Sequence, residues 1–244
     1  MSSVQEQMLA TADRLLADQA NADAWEEAGF GLLLTPEADD GIGGDWGDAF
    51  AVLRRVSETL PALDVVPLMI GSNDRGVAAF ARTSLAAGAL DRVTAMSVEH
   101  ANLREQFARP LAKFQAVQQA LALLASGAAA ANAAGRGAAA ALDWHGGNAD
   151  AASYEIAAAK LRANAAMATG AALAHQAHGA IGFTADHDLH RFTGALMRWR
   201  EEGGNDRYWA GRLGAMIAAR GADRYWSDLT ARSDVTSPTP HKEG

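Results

Sequence analysis

Two long stretches rich in alanine and leucine occupy the middle of the chain, and both have the spacing of α-helices. The first follows Pro110 and ends near Trp144. Its apolar residues recur at intervals of three or four, at Phe114, Val117, Leu121 and Leu124. The second covers about residues 149–177. No part of the sequence has the alternating β-branched runs, bounded by turn residues, that a β-domain requires. The sequence therefore predicts an all-α fold in which many alanines let helices approach closely.

The same patterns divide the chain into three parts. Residues 1–71 are predicted to form a short N-terminal helical unit, with Asn21 capping one helix and Asp45 or Asp48 capping another. Residues 72–230 are predicted to form a C-terminal four-helix bundle, with further helical patterns over 186–200 and 208–230. Residues 231–244 are polar, contain two prolines and are predicted to be a disordered tail.

Composition excludes several classes of function. The 244 residues carry a formal net charge of -8 without a concentration of basic residues, so nucleic acid is not an expected partner. Cysteine is absent, which excludes disulfides and thiolate chemistry. No apolar run is long enough to cross a bilayer, and the N-terminus does not have the pattern of a signal peptide. We therefore expect a cytoplasmic protein without a membrane partner.

Four histidines form two H-x-x-H pairs, at His175, His178, His187 and His190. Two histidines three residues apart share a face of a helix, so a metal site is one interpretation. A di-iron site in a helical bundle needs glutamate ligands and E-x-x-H pairs, and the sequence has no E-x-x-H pair. The alternative, which we favour, is that these histidines are structural or lie at an interface, and that no metal is bound.

Two separated segments carry a family resemblance. Residues 104–118, REQFARPLAKFQAVQ, resemble the R-x-x-F-G-x-P-[LI]-x-x-F-Q-x-V-Q signature of acyl-CoA dehydrogenases. Residues 176–184, QAHGAIGFT, resemble the Q-x-x-G-G-x-G-[FY]-T segment that follows it in that family. Ala108 and Ala180 stand where the family has glycine. The sequence thus resembles a member of the acyl-CoA dehydrogenase superfamily that lacks the middle β-domain, as in subunits of heteromeric members.

A third segment has two interpretations. The glycines at 41–44 could belong to a phosphate-binding loop, but such a loop needs a preceding strand and a following helix in a βαβ unit. Only a run of three leucines precedes them. The segment also resembles the glycine-rich turn in the N-terminal helical domain of the family, and we favour that interpretation.

The resemblance implies a set of residues that bind FAD. From the first segment these are Arg104, Gln106, Phe107 and Gln115, which would contact the ADP part of the cofactor. From the second they are Gln176, Gly179 and Ala180, which in the family reach the FAD of a neighbouring subunit. Taken by itself, Arg104 could equally be a solvated side chain paired with Glu99 or Glu105, and Gly179 could be an ordinary helix C-cap.

The resemblance also implies a catalytic base. In the family, a glutamate removes the α-proton of the acyl group while a hydride passes to the flavin. Glu202 is the candidate here, although it aligns with the family position only after a shift of one residue. The other known position falls near Ala78, and no glutamate lies close to it. The alternative interpretation of Glu202 is an exposed carboxylate at a helix end.

The resemblance implies a function that a single chain could not complete. Without the β-domain that covers the flavin ring, we expect a subunit of an FAD-dependent acyl-CoA dehydrogenase that forms a hetero-oligomer with a full-length partner, or otherwise a homo-oligomer. Its substrate would be an acyl-CoA, and heteromeric members of the family act on bulky examples such as steroid side-chain thioesters. The alternative is a non-catalytic helical scaffold, or an acyl-CoA-binding protein without flavin.

Overall fold

A computed structural model describes residues 2–60 and 63–233 of the chain, and helices dominate it. The N-terminal part contains α1 (Ser3–Ala17), α2 (Ala22–Glu27), α3 (Trp46–Ser57) and the short α4 (Val66–Met69). Three long helices follow: α5 (Arg75–Leu103), α6 (Gln115–Trp144) and α7 (Ser153–His178). The shorter α8 (Leu189–Glu201), α9 (Asp206–Arg220) and α10 (Tyr225–Ser233) complete the described chain.

The predicted all-α class is confirmed. Within the described residues, the only sheet is a two-stranded hairpin between α5 and α6, formed by β1 (Glu105–Gln106) and β2 (Arg109–Pro110). Between α4 and α5 the chain has room for a short connection only, so no β-domain is inserted there. None of the described helices is both long enough and apolar enough to span a membrane.

Polar side chains cap the helices of the N-terminal part as the sequence predicts. The Asn21 side chain accepts a hydrogen bond from the backbone N–H of Ala24, 3.1 Å away. At the start of α3, Asp45 and Asp48 form a reciprocal capping box, with each carboxylate accepting from the other residue's N–H. The prediction named either aspartate, and both contribute. These caps satisfy N–H groups that the first turn of a helix leaves unpaired.

Small residues let the long helices of the bundle pack closely. Helix α7 packs against α5 and α6, and α8 and α9 pack against α7. Alanines of α6 and α7 are buried at these contacts, among them Ala131, Ala138, Ala157, Ala163 and Ala174. A Cβ on Gly170 would lie 2.9 Å from Leu90 and 3.0 Å from Leu124, so even an alanine would crowd that position. The alanine-rich composition is therefore explained by short distances between helices.

The N-terminal part packs directly onto the bundle. A Cβ on Gly88 of α5 would lie 1.9 Å from the backbone oxygen of Arg54, so α3 crosses α5 at a backbone contact. Phe50 of α3 packs against Gly135 of α6 in the same way. One continuous core cluster joins the two parts. The domain boundary at residue 71 therefore stays a prediction, and residues on both sides of it share one hydrophobic core.

Several boundaries differ from the predicted ones. Helix α7 begins at Ser153 because the chain makes turns after the glycines at 146 and 147. The segment predicted as one helix over 208–230 is two helices, because Gly221 adopts φ 85° between α9 and α10. Helix α10 continues to Ser233, and the rest of the predicted tail, 234–244, lies outside the described residues.

The glycines at 41–44 form a turn that folds back on the chain before it. A Cβ on Gly41 would lie 2.0 Å from the backbone oxygen of Thr35, and one on Gly44 would lie 2.6 Å from Leu33. Short 3-10 helices precede the turn. No strand of the described chain leads into it, so it lacks the βαβ setting of a phosphate-binding loop.

Candidate functional site

The first predicted cofactor segment forms a tight hairpin at the end of α5. Gln106 pairs with Arg109, and the two residues between them, Phe107 and Ala108, have φ angles of 52° and 61°. Two residues with positive φ are typical of the type I′ turn, which favours glycine or asparagine. The backbone N–H of Leu111 donates to the oxygen of Arg104 over 2.8 Å and closes the hairpin. Phe107 therefore stands at the tip, 88% exposed.

Arg104 is exposed, and it has no ion-pair partner in the described part of the chain. Within residues 2–60 and 63–233, no carboxylate forms a salt bridge with it, so the predicted alternative pairings with Glu99 or Glu105 do not form. Gln106 and Gln115 are exposed as well. A free guanidinium can pair with two oxygens of a phosphate at once. The first segment therefore offers an anion-binding side chain to solvent.

The start of α6 lies directly after the hairpin. Phe114 occupies the N-cap position, and no side chain caps this 30-residue helix. Gln115 is its first residue. The N-terminus of a long helix carries a partial positive charge and unpaired N–H groups, so it favours a bound anion. This terminus and Arg104 are separated only by the hairpin and one 3-10 turn.

The second predicted segment forms the end of α7 and the 3-10 turn that follows. Gly179 adopts φ 65° and ψ -145°, a conformation that a side chain would disfavour, and its N–H donates to the oxygen of His175. Gly179 is therefore the C-cap of α7, which is one of the two roles that the sequence predicts for it. Gln176, Gly179 and Ala180 are all exposed. A role as a C-cap leaves these residues available to a ligand.

Histidines bring the two segments to the same end of the bundle. The rings of His100, on α5, and His178, on α7, stack with 4.4 Å between their centroids. His187, in the loop before α8, contacts the same pair at 4.7 Å from His178 and 6.3 Å from His100. The oxygen of His100 accepts from the N–H of Arg104 over 2.9 Å. The histidine cluster, defined as His100, His178 and His187, therefore lies between the two segments.

Sequence reasoning missed His100. The signal it offered was its place one helical turn before Arg104. Its ring partner, His178, is far away in sequence and on another helix, so only the fold reveals the contact.

The two histidines of the first H-x-x-H pair have different partners. His175 forms a hydrogen bond with Thr193 through Nε2 over 2.9 Å and stacks on Phe183, while His178 stacks on His100.

Two histidines of the cluster, His100 and His178, have lowered pKa values. Burial lowers the pKa of His178 and of His100, and the neighbouring His187 lowers both further. Arg104 adds to the lowering at His100. The Nδ1 of His178 lies 2.9 Å from the oxygen of Ala174, an acceptor, so Nδ1 carries the proton. Its Nε2 keeps a lone pair and is buried without a hydrogen-bond partner in the described part of the chain.

Glu202, the predicted base, lies at the other end of α8. Its Oε2 is 2.6 Å from Nε of Arg82, whose terminal nitrogens also bind Asp64. These three charged residues and Arg198 line a cavity of about 180 Å³, together with apolar side chains that include Leu85 and Trp199. Helix α8 has 13 residues, about 20 Å, and it separates Glu202 from the histidine cluster.

Buried polar side chains fix the loop that contains Glu202. Lys160, fully buried on α7, donates from Nζ to the backbone oxygens of Trp199 and Arg200 at the end of α8. Asn164, one turn later, donates to the oxygen of Arg200 and to Asp206. Burial lowers the pKa of Lys160 to about 8. The loop after α8 is therefore held from the centre of the bundle.

Comparisons with known proteins agree with the fold. The family model described as "Acyl-CoA dehydrogenase, C-terminal domain" matches residues 75–218. The curated "Acyl-CoA dehydrogenase IpdE2" of Mycobacterium tuberculosis is 37% identical over 122 residues, which are 49% of this chain and 36% of that protein. The match thus spans about a third of the length of that relative.

Solved structures give the same result. A chain of the ChsE4–ChsE5 complex from Mycobacterium tuberculosis matches with 30% identity and a TM-score of 0.54, covering 59% of this chain and 38% of that one. A variant of the Tcur3481–Tcur3483 steroid ACAD matches with a TM-score of 0.74 and 15% identity, covering 88% of this chain and 98% of that one. At 15% identity, the match to the steroid ACAD variant shows a shared fold only.

Proposed function

This chain belongs to the acyl-CoA dehydrogenase family, and from that premise we propose that it is a subunit of an FAD-dependent acyl-CoA dehydrogenase. The complex would introduce an α,β double bond into an acyl-CoA thioester. A full-length partner subunit would complete the FAD site. The family match over most of the bundle supports the reaction class, and the two exposed segments at one end of the bundle support a cofactor site between chains.

The observation that carries the proposal is Arg104, which has no ion-pair partner among the described residues and lies close in the chain to the uncapped start of α6. An exposed arginine and a helix N-terminus together suit the two phosphates of a dinucleotide. Gln176, Gly179 and Ala180 lie on the far side of the histidine cluster, where the family resemblance assigns contacts with the cofactor of a neighbouring subunit. These residues fit the ADP part of FAD.

The described residues provide contacts for the ADP part of FAD but no layer that would cover the isoalloxazine ring. The hairpin of β1 and β2 is the only sheet in residues 2–60 and 63–233, and no layer there could cover a flavin. Exclusion of water from that ring is needed for proton and hydride transfer. A partner subunit is the simplest source of such a layer. The ChsE4–ChsE5 structure, which is named as a complex of two proteins, supports an assembly of this kind.

The residues of this chain would have separate tasks in the complex. Bound FAD would accept the hydride from the β-carbon of the acyl group. Arg104 would pair with phosphate oxygens, and Gln106, Phe107 and Gln115 would surround the adenosine part. Glu202, which lines the cavity together with Arg82, would take the α-proton on its carboxylate after release from that arginine. Asp64 already binds Arg82 and would keep that cation paired.

One observation favours the alternative of a non-catalytic subunit. The Glu202 carboxylate is held by the Arg82 guanidinium at 2.6 Å, so it is not free to approach a substrate. If the pair persists in the complex, this chain would be a scaffold or an acyl-CoA-binding protein, and the base would come from the partner. A homo-oligomer that encloses the cofactor between identical chains is the other possible assembly.

The test compares the chain purified alone with the chain co-expressed with a candidate full-length acyl-CoA dehydrogenase subunit. We expect a colourless protein alone and a yellow complex after co-expression. Addition of acyl-CoA without oxygen should bleach the flavin of the complex. A yellow, active homo-oligomer would remove the need for a partner. Failure to bind FAD in both preparations would favour the scaffold.

Arg104→Ala tests the observation that carries the proposal. Loss of a charge-assisted contact should weaken FAD binding to the complex by about 1.5–3 kcal/mol, or roughly 10- to 150-fold. Arg92→Ala, which removes another exposed arginine of α5, is the matched control and should leave the affinity unchanged. Equal affinities of the two variants would exclude Arg104 from the site.

A further inference from the structure

The histidine cluster brings together three imidazoles from three segments of the chain. One nitrogen from each of His100, His178 and His187 can be chosen so that all three atoms lie within 4.8 Å of one another. We propose that these histidines form a binding site for a divalent transition-metal ion, with Zn²⁺ as the reference case. The proposal does not depend on the proposed function, and it departs from the sequence prediction that the histidines bind no metal.

His178 is the residue best prepared as a ligand. It is 5% exposed, and its Nε2 is buried without a hydrogen-bond partner among the described residues. An unpaired buried nitrogen costs about 1–3 kcal/mol. The bond from Nδ1–H to the oxygen of Ala174 fixes the tautomer and leaves the Nε2 lone pair free. Histidine ligands of metals commonly donate their other ring nitrogen to a carbonyl in this way.

His100 and His187 lie closer to solvent, so an ion can reach the cluster through them. No hydrogen bond to either ring nitrogen of His100 forms within residues 2–60 and 63–233, and its ring is held by stacking on His178. His187 accepts the N–H of Leu189 at Nδ1 over 3.1 Å. Coordination would cost His187 that bond, because its lone pair is engaged there and Nε2 carries the proton. His187 is therefore the ligand that must rearrange.

The distances allow a metal after small movements of side chains. Zinc–nitrogen bonds of about 2.0–2.1 Å place ligand nitrogens roughly 3.4 Å apart in a tetrahedral site. The cluster must contract by about 1.4 Å at most, from 4.8 Å, which rotation of the His100 and His187 side chains can supply. The stacked rings of His100 and His178 must tilt so that both lone pairs meet one ion. The helices can stay in place.

The donor set selects the kind of ion. Imidazole nitrogens suit Zn²⁺, Co²⁺, Ni²⁺ and Cu²⁺, while Mg²⁺ and Ca²⁺ prefer oxygen. Asp188, next to His187 in the sequence, is already paired with Arg191 at 3.0 Å, and Arg104 opposes a cation at His100. Three protein ligands leave a fourth position for water or an added ligand.

The experiment uses the full chain, without an affinity tag and after treatment with a chelator. Titration with Zn²⁺ in a calorimeter and with Co²⁺ by visible absorption should give one site per chain. The absorption of Co²⁺ should have the intensity of a tetrahedral complex. The variants His100→Gln, His178→Gln and His187→Gln each remove one ligand. His145→Gln, an exposed histidine in the turn after α6, is the matched control.

We expect each cluster variant to weaken Zn²⁺ binding by at least about tenfold and His145→Gln to leave it unchanged. Bound Zn²⁺ should raise the unfolding temperature of the wild type but not of the cluster variants. His178 is buried, so His178→Gln can also disturb the folding of the site. The test of the proposal therefore rests on the variants at the more exposed His100 and His187. Absence of a one-to-one site in the wild type would overturn the proposal. So would equal affinities of His100→Gln, His187→Gln and His145→Gln.

Discussion

The carboxylate of Glu202 and the guanidinium of Arg82 form an ion pair, with 2.6 Å between Oε2 and Nε. Arg82 is bound on its other side by Asp64, with 2.8 Å between Nη2 and Oδ2. Two carboxylates therefore share one guanidinium, whose side chain is 16% exposed. Because Asp64 can keep Arg82 paired, release of Glu202 does not leave an uncompensated cation. The ion pair is thus compatible with a base that is freed when substrate binds.

Glu202→Gln tests the base in the assembled complex. If Glu202 removes the α-proton, the amide cannot accept it, and kcat should fall by about 10²- to 10⁴-fold while FAD binding is kept. Stopped-flow measurement of flavin reduction by acyl-CoA gives this rate directly. Glu201→Gln changes the adjacent exposed carboxylate and should keep the wild-type rate. Reduction at the wild-type rate in Glu202→Gln would assign the base to the partner.

Ala108→Gly should stabilise the hairpin after α5. Ala108 has φ 61°, a left-handed conformation that costs an alanine about 1 kcal/mol or more and a glycine little. Part of the gain is lost because glycine is more flexible in the unfolded chain, so we expect roughly 0.5–1 kcal/mol. Hydrogen exchange of the Leu111 amide, which closes the hairpin, should slow by about two- to fivefold.

The control for this prediction is Ala122→Gly. Ala122 is exposed in the interior of α6, where glycine costs about 1 kcal/mol of helix stability. The two glycine substitutions should therefore have opposite signs. A faster exchange of the Leu111 amide in Ala108→Gly would mean that the left-handed turn carries no strain.

Local patterns were enough to predict most of the helices and the N-terminal caps of α2 and α3. Asn21, Asp45 and Asp48 sit directly before apolar residues at helical spacing, and a cap is a contact within one turn. The helix end at Gly221 also has a local signal, the glycine itself, but the helical pattern on both sides of it predicts one continuous helix. Boundaries of this kind depend on the φ angle of one residue, here 85°.

Contacts between distant residues were not predictable in the same way. His100 meets His178, and Arg82 meets Glu202, only because α5 packs against α7 and α8. The sequence offers a histidine and an arginine on a helix, and such residues are usually solvated. Arg104 could be singled out because a motif surrounds it. Its exposure and its lack of an ion pair among the described residues were visible only in the structure.

Gly88→Ala should prevent the normal packing of α3 on α5. The added Cβ would lie 1.9 Å from the oxygen of Arg54 and 2.3 Å from Oγ of Ser57, and a backbone oxygen cannot move without moving its helix. We expect the free energy of unfolding in urea to fall by about 3 kcal/mol or more. A Cβ on Gly137, in the interior of α6, would have no atom within 4 Å beyond the backbone of its own helix. Gly137→Ala should therefore raise the free energy of unfolding by about 0.5–1 kcal/mol.

Lys160 should make the stability of the protein rise with pH. Its pKa is about 8 in the folded chain and near 10.5 when unfolded, because burial disfavours its charge. Between these values the unfolded chain binds a proton that the folded chain does not, so stability increases with pH across that window. The increase is on the order of 3 kcal/mol for a shift of this size. Below about pH 8 the penalty is fully present.

Urea unfolding of the wild type and Lys160→Met from pH 7 to pH 10.5 isolates this effect. The variant also leaves the backbone oxygens of Trp199 and Arg200 without their donor, but that loss adds a constant offset. The stability of the wild type relative to the variant should therefore grow as pH rises. Lys113→Met corrects for the loss of an exposed lysine. A difference that stays constant would mean that the carbonyls at the end of α8 fully compensate the buried charge.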